Sequence, residues 1–299
     1  MPIFVDYSAV AIAGIMPFQA DLKTGSDEKI VDLIRHVILS SLLSNKKKFS
    51  HKFGEMVICA DGHNYWRNEH FAYYKASRSK NREASGLNWK LIFDTISSIR
   101  DDLEANFPYR VMHVHRAEAD DIIGVLSKYL QDNDLYQNGL EEEPQKILIL
   151  SSDKDNVQLQ KFRNVTQYSP MQKKQVKPDT NAREALIEKI CCGDPGDGYA
   201  NIMSDDDVFV TEGKRQKPFK KARLPDFYKL GIDACANDSE RRNYQRNELL
   251  ASYEMIPADL QQEIINTYKA QAPQGSKKKI MAYLMEHRCR NLMDSIEEF

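Results

Sequence analysis

Ile147-Leu148-Ile149-Leu150-Ser151-Ser152-Asp153-Lys154-Asp155 is an unbroken apolar run that gives way at once to serines and aspartates. Short continuous apolar runs bounded by turn formers suit strands buried on both faces, the kind found in parallel sheets. The same form recurs upstream at Ile3–Asp6, Met56–Asp61 and Arg110–Val114. Between these runs, apolar residues fall at helical spacing. Ile30, Ile34, Val37, Ile38 and Leu42 form one set, Trp89, Ile92, Phe93, Ile96, Ile99 and Leu103 a second, and Ile122, Ile123, Val125, Leu126, Tyr129 and Leu130 a third. Strands alternating with helices predict βαβ units. The expected fold is therefore α/β, with a central, mostly parallel sheet flanked by helices.

Beyond about residue 180 the pattern changes. Helical signals occupy 182–192, 238–254, 257–270 and 276–288, with few strand signals. A smaller all-α domain over 181–299 is expected to follow an α/β domain over 1–180. The boundary falls just after the loop read at Pro170–Pro178.

Composition excludes several classes. The 299 residues are 41% hydrophobic and 29% charged, an ordinary globular balance rather than a disordered or fibrous one. Lys and Arg total 42 against 44 Asp and Glu, so net charge names no partner. Five cysteines without CxxC spacing argue against a disulfide framework or structural zinc, and fit a reducing cytoplasm. No apolar run approaches the ~18 residues of a membrane span. Met1-Pro2-Ile3-Phe4-Val5-Asp6 has no basic stretch and an early aspartate, so neither a secretory signal nor a leader ahead of Asp6 is expected.

The acids are the informative feature. Asp6 and Asp61 end strands, Asp153 and Asp155 follow one, and Glu118, Asp120 and Asp121 open a helix. Each alone has an ordinary reading as a helix cap, a first-turn acid or an Asx turn. In an open α/β sheet, however, the carboxyl ends of the strands share one edge, where sites form. Acids far apart in sequence then meet. Two unit charges ~4 Å apart repel by ~4 kcal/mol at an effective dielectric of 20, so such a group must protonate or hold cations. All-oxygen ligands suit Mg²⁺ or Mn²⁺, and a pair of such ions serves phosphodiester hydrolysis.

A basic stretch follows the second acidic strand end. Arg67, Lys75, Arg78, Lys80, Arg82 and Lys90 stand against Glu69 and Glu83 only, with Tyr65, Trp66, Phe71, Tyr73 and Tyr74 among them. Lys75 and Arg78 are spaced to share a helix face and grip a phosphodiester. A tyrosine beside them is placed to stack on an unpaired base.

Together Phe4-Val5-Asp6-Tyr7-Ser8, Cys59-Ala60-Asp61, Tyr74-Lys75-x-x-Arg78, Glu118-Ala119-Asp120-Asp121, Ser151-Ser152-Asp153-Lys154-Asp155 and Gly193-Asp194-Pro195-Gly196-Asp197 resemble the 5′-nuclease (flap endonuclease) superfamily. The likeness is strongest to its branch of bacteriophage ribonucleases H. It covers most of the chain, more weakly over 205–275. The resemblance implies a PIN-like nuclease domain with a helical arch near 65–90, and a helix–turn–helix-containing domain that holds duplex. It implies a Mg²⁺-dependent 5′→3′ exonuclease and flap endonuclease that removes RNA primers and 5′ flaps in DNA replication with two ions, Mn²⁺ substituting. It makes Asp6, Asp61, Glu118, Asp120, Asp121, Asp153, Asp155, Asp194 and Asp197 the metal-site acids. Asp6, Asp61, Asp120 and Asp153 would surround the first ion, and Asp155, Asp194 and Asp197 the second. Asp6, Asp61, Asp120, Asp153 and Asp155, with Lys75 and Arg78, would be catalytic. Tyr74, Lys75, Arg78, Lys80 and Arg82 would contact nucleic acid. After Gly198 the sequence departs from the Gly-rich turn of many members, and Lys214, Arg215, Lys217, Lys220 and Lys221 are expected to contact duplex instead.

The implied substrates are DNA and RNA–DNA duplexes with flaps, nicks or primers, met by a monomer in the cytoplasm (the host's, for a phage chain). The C-terminal helices and the tail at Phe299 are a candidate dock for a single-strand-binding protein or sliding clamp. Two other readings stand beside the nuclease: a catalytically inactive DNA-binding replication module, and a phosphatase with an aspartyl nucleophile. The phosphatase wants a second acid two residues after Asp6, where Ser8 stands. His113 and His115 alternate along a strand and are expected to be packing or polar-face residues rather than ligands. Cys191 and Cys192 are expected to be structural.

Overall fold

A computed structural model describes residues 1–133, 135–138 and 141–299. Its centre is a six-stranded sheet in the order β3-β2-β1-β6-β7-β8. The strands are β1 (Pro2–Asp6), β2 (Glu55–Ala60), β3 (Arg110–His113), β6 (Ile147–Leu150), β7 (Val165–Ser169) and β8 (Lys174–Val176). A separate hairpin pairs β4 (Leu135–Asn138) with β5 (Glu141–Pro144). All pairings in the large sheet are parallel except β7 with β8. The Pro170–Pro178 segment, read from sequence as a loop, therefore contains an edge strand. Its Lys174, Gln175 and Val176 have too little apolar content to announce one.

The first half supplies α1 (Tyr7–Ile15), α2 (Gln19–Thr24), α3 (Asp27–Phe53), α4 (Trp66–His70), α5 (Ser77–Ser85), α6 (Trp89–Asn106) and α7 (Ala119–Asn133). The second half supplies α8 (Ala182–Cys192), α9 (Leu224–Leu230), α10 (Asp238–Ala251), α11 (Ala258–Ala270), α12 (Lys277–Glu286) and α13 (Arg290–Met293). Among the described residues, no helix is long and apolar enough to cross a membrane.

Strand alternation sorts the core into two layers. Ile3, Val5, Met56, Ile58, Leu148 and Leu150 face α1, α3 and α6. Phe4, Val57, Cys59, Ile147 and Ile149 face α7. A third cluster joins α8, α9 and α10 to Phe71 and Tyr74.

The helices after residue 181 are shared among all three clusters. Ile256, Leu260 and Ile264 complete the α7 layer, while Ile280, Tyr283, Leu284 and Phe299 complete the α3 layer. The Phe299 ring is only 6% exposed and meets Phe107 edge-on at 5.2 Å. Within the expected dock of C-terminal helices and tail, this withdraws the Phe299 side chain alone. A side chain committed to the protein's own core is not free to dock a partner.

Removing a buried aromatic ring costs about 3–5 kcal/mol. Phe299→Ala is expected to lower the unfolding free energy by about that amount in urea titrations. A change below about 0.5 kcal/mol would contradict this packing.

Candidate active site

β2, β1 and β6 are neighbours, so their carboxyl ends deliver Asp6, Asp61 and Asp153 to one edge. Each acid is fixed by a local bond. Asp6 caps α1, with Oδ1 accepting from Ala9 N at 3.1 Å and Oδ2 from Ser151 Oγ at 2.8 Å. Asp61 Oδ1 accepts from Ala119 N at 2.9 Å, which ties β2 to the start of α7. That start brings Asp120 to the group, where its Oδ1 accepts from Asn156 Nδ2 at 2.7 Å. Asp153 Oδ1 accepts from Asp155 N at 2.9 Å.

Every partner in that set is neutral. Among the described residues, Asp6, Asp61, Asp120 and Asp153 form no ion pair. Burial, then the Asp61 charge, pushes Asp6 up to about 7. Burial, then Asp6, Asp153 and Asp155, raises Asp120 well above the carboxylate range. The acids open on a cavity of about 570 Å³ that Lys75, Arg78 and Glu118 also line.

A second group lies beside the first. Asp155, Asp194 and Asp197 each offer an oxygen within 4.8 Å of the others. Unlike the first group, it has protein cations. Lys189 Nζ meets Asp155 and lies 2.8 Å from Asp194 Oδ2. Arg78 Nη2 lies 2.8 Å from Asp197 Oδ1. Burial still raises Asp155 to about 7 despite Lys189. Lys189 was not singled out from sequence. Its signal is its position on α8, one turn before the Gly193–Gly198 turn.

That turn is pressed onto the basic segment. Lys75 N donates to Asp197 O at 2.8 Å. A Cβ at Gly198, whose φ is 83°, would sit 2.6 Å from Tyr73 O. Only glycine permits this approach. Lys75 itself has φ 56° and precedes α5, so it does not share a helix face with Arg78 as expected. The two converge on Asp197 instead, with Lys75 Nζ 3.7 Å and Arg78 Nη2 2.8 Å from its Oδ1.

Three expected site residues sit differently. Asp121 is fully buried and turned away from the edge. Its Oδ2 accepts from Trp66 Nε1 at 3.1 Å and Arg67 Nη1 at 2.9 Å, and its Oδ1 lies 2.8 Å from Arg67 Nη2. Turned from the edge and closed in by Trp66 and Arg67, it serves as the counter-charge to Arg67. Glu118 lines the cavity but accepts from Arg67 Nη1 at 2.7 Å, Tyr74 OH at 2.8 Å and Lys75 Nζ. Burial opposes its charge, but Lys75 and Arg67 prevail and hold its pKa down. It positions Lys75. Tyr74 is 6% exposed, so its ring is core and unavailable for stacking.

The remaining basic residues separate by partner. Lys80 is exposed, and Arg82 lines the cavity. Lys214 is held by Asp207 at 2.7 Å and Lys221 by Glu188 at 2.7 Å. Arg215, Lys217 and Lys220 are exposed. His115 is exposed, and His113 meets the His63 ring edge-on at 5.7 Å. Cys191 is buried and Cys192 half-buried.

Residues 17–190 match the family described as 5′-3′ exonuclease, N-terminal resolvase-like domain. Residues 181–299 match the family described as T4 RNase H, C terminal. Ribonuclease H of Enterobacteria phage T4 is 34% identical over 314 residues, covering 99% of this chain and 94% of that protein. The chain belongs to the 5′-3′ exonuclease family. It is a metal-dependent 5′ nuclease, a phosphodiester hydrolase. Two solved structures share the fold. The bacteriophage T5 D15 protein co-crystallised with metal ions has a TM-score of 0.61 at 15% identity, over 90% of this chain and 97% of its own. The T5 flap endonuclease complexed with DNA and metal ions has a TM-score of 0.60 at 14% identity, over 90% and 99%.

The donor set of this nuclease fits divalent cations. It is all carboxylate oxygen, crowded, and at the sheet edge in no ion pair among the described residues, which suits a hard ion. The same crowding makes stability pH-dependent. Asp6 and Asp155 hold protons to about pH 7 in the fold, against a usual 3.8. The metal-free fold thus binds more protons than the unfolded chain in that window. The stability these two acids contribute is full below about pH 4 and is lost as pH rises to about 7. In thermal melts, a saturating divalent ion is expected to raise Tm more at about pH 8 than at about pH 5.5, relative to EDTA. Equal gains at both pH values would contradict the arrangement.

Proposed function

We propose that the chain is a 5′→3′ exonuclease and flap endonuclease that removes RNA primers and 5′ flaps during DNA replication. The observation that carries this reading is the row of unpaired acids at the sheet edge, facing Lys75 and Arg78 across one cavity. Asp6, Asp61, Asp120 and Asp153 would hold one Mg²⁺. Asp155, Asp194 and Asp197 would hold the other, with Mn²⁺ substituting. When bound, the two ions supply Lewis-acid activation of an attacking water and of the phosphoryl oxygens.

The chain's own residues do the rest. Lys75 and Arg78 grip the scissile phosphate and oppose charge that grows as the bond breaks. Glu118 and Asp197 hold those two cations in place. Asn156 and Ser151 orient Asp120 and Asp6. Lys80 and Arg82 continue the strand path along α5. Arg215, Lys217 and Lys220 contact duplex phosphates, while Lys214 and Lys221 must first leave Asp207 and Glu188. In this reading residues 1–180 cut and 181–299 hold duplex. The enzyme acts as a monomer in the cytoplasm, and a single-strand-binding protein or clamp docks on its exposed surface rather than through Phe299.

Incubation with 5′-labelled flap, nicked and RNA-primed duplexes, with Mg²⁺ and with EDTA, tests the reading. Short 5′ products are expected with Mg²⁺ only. Asp153→Asn is expected to abolish cleavage while circular dichroism and duplex affinity stay near the parent's, and parental cutting would remove Asp153 from the site. Lys75→Ala is expected to slow single-turnover cleavage by ~10²–10³ with little change in duplex Kd. A loss confined to Kd would assign Lys75 to binding alone.

A further inference from the structure

The acid-lined cavity has a second wall with different chemistry. It is built from one face of α6, where Trp89, Phe93, Ile96, Ser97 and Arg100 recur at helical spacing, and from Arg82 on α5. Trp89 and Phe93 stack, with centroids 5.4 Å apart and planes 28° apart. Trp89 Nε1 donates to Ser85 Oγ at 2.8 Å, which fixes the indole. Both residues line the cavity while half-buried, and Trp89 also packs against the α3 core layer.

Arg82 lies over this pair, 4.7 Å from the Phe93 centroid and 5.9 Å from that of Trp89. It forms no ion pair among the described residues, unlike Arg78 on the same helix. Arg100, farther along the wall, is paired with Asp101 at 2.6 Å. The nearest other acid on α6, Asp94, is exposed and paired with Lys90.

We propose that this wall is a nucleobase-stacking subsite for the single-stranded part of the substrate. Resting on the nuclease reading above, it gives that reading a specific site for unpaired bases. A base takes the place of the Arg82 guanidinium on Phe93 and Trp89, and the guanidinium turns to the adjoining backbone phosphate. The wall is continuous with the acid edge, so a strand seated there leads directly to Lys75 and Arg78. Stacking accepts any base, whereas charge alone reads only phosphates. The residue expected from sequence to stack, Tyr74, is buried. The function passes to rings that the periodicity assigned to the core.

Trp89 reports on its own site. The chain has two tryptophans, and the other, Trp66, is fully buried. Asp153→Asn protein with Mg²⁺ is titrated with a short oligothymidylate and with an abasic oligomer carrying the same number of phosphates. Oligothymidylate is expected to quench Trp89 and to bind on the order of tenfold more tightly than the abasic strand. Phe93→Ala is expected to erase that preference, and Phe93→Tyr to keep it. Equal affinity for the two oligomers, or a preference that survives Phe93→Ala, overturns the proposal. The nuclease reading fails separately. A parent enzyme that cuts flaps yet ignores the bases refutes the subsite alone, and base preference in a chain that cuts nothing refutes the nuclease alone.

Discussion

Repulsion among carboxylates at one sheet edge is the constraint around which this molecule is arranged. Three adjacent parallel strands end there, and α7 adds a fourth acid at its first turn. Folding brings the charges together and, among the described residues, supplies only neutral donors. Burial and mutual charge therefore raise Asp6 to about 7, far from an ordinary aspartate. The hydrophobic cores on both sides of the sheet hold this arrangement against its own repulsion.

The surrounding structure divides the acids by partner. Asp121 and Glu118 lie one and two residues from Asp120 in sequence, yet Arg67 takes both into a buried network. A buried acid left without such a cation would be strongly destabilising. Arg67 thus keeps these charges out of the cation site. Glu118 has a further consequence, because its remaining oxygen holds Lys75 at the cavity. The same network that neutralises two acids therefore holds a lysine at the wall of the acid-lined cavity.

The second half of the chain completes this geometry rather than standing apart. The Gly193–Gly198 turn carries Asp194 and Asp197 against Lys75 and Arg78, through a backbone contact that only a residue without a side chain allows at Gly198. Helices α11 and α12 close both layers over the sheet. The helical half and the sheet edge are mechanically joined through these contacts.

Much of this was legible from residue order. Apolar runs ending in acids specify parallel strands and their shared edge, because strand direction alone decides where the carboxyl ends fall. Asp6, Asp61 and Asp153 follow from that rule, and the ordered motifs point to the family. Side-chain direction was not legible. Asp120 and Asp121 are neighbours whose opposite fates depend on a 100° step around α7 and on an arginine more than fifty residues away. Lys189 and Asn156 look like ordinary surface or helix residues until the chain folds them against acids, and Arg67 stands out only as one of a basic run. Trp89 and Phe93 fit a core stripe by spacing, yet the cavity beside α6 leaves them only half-buried. Periodicity records which face of an element is apolar, and only the packed neighbours decide whether that face meets core, cation or solvent.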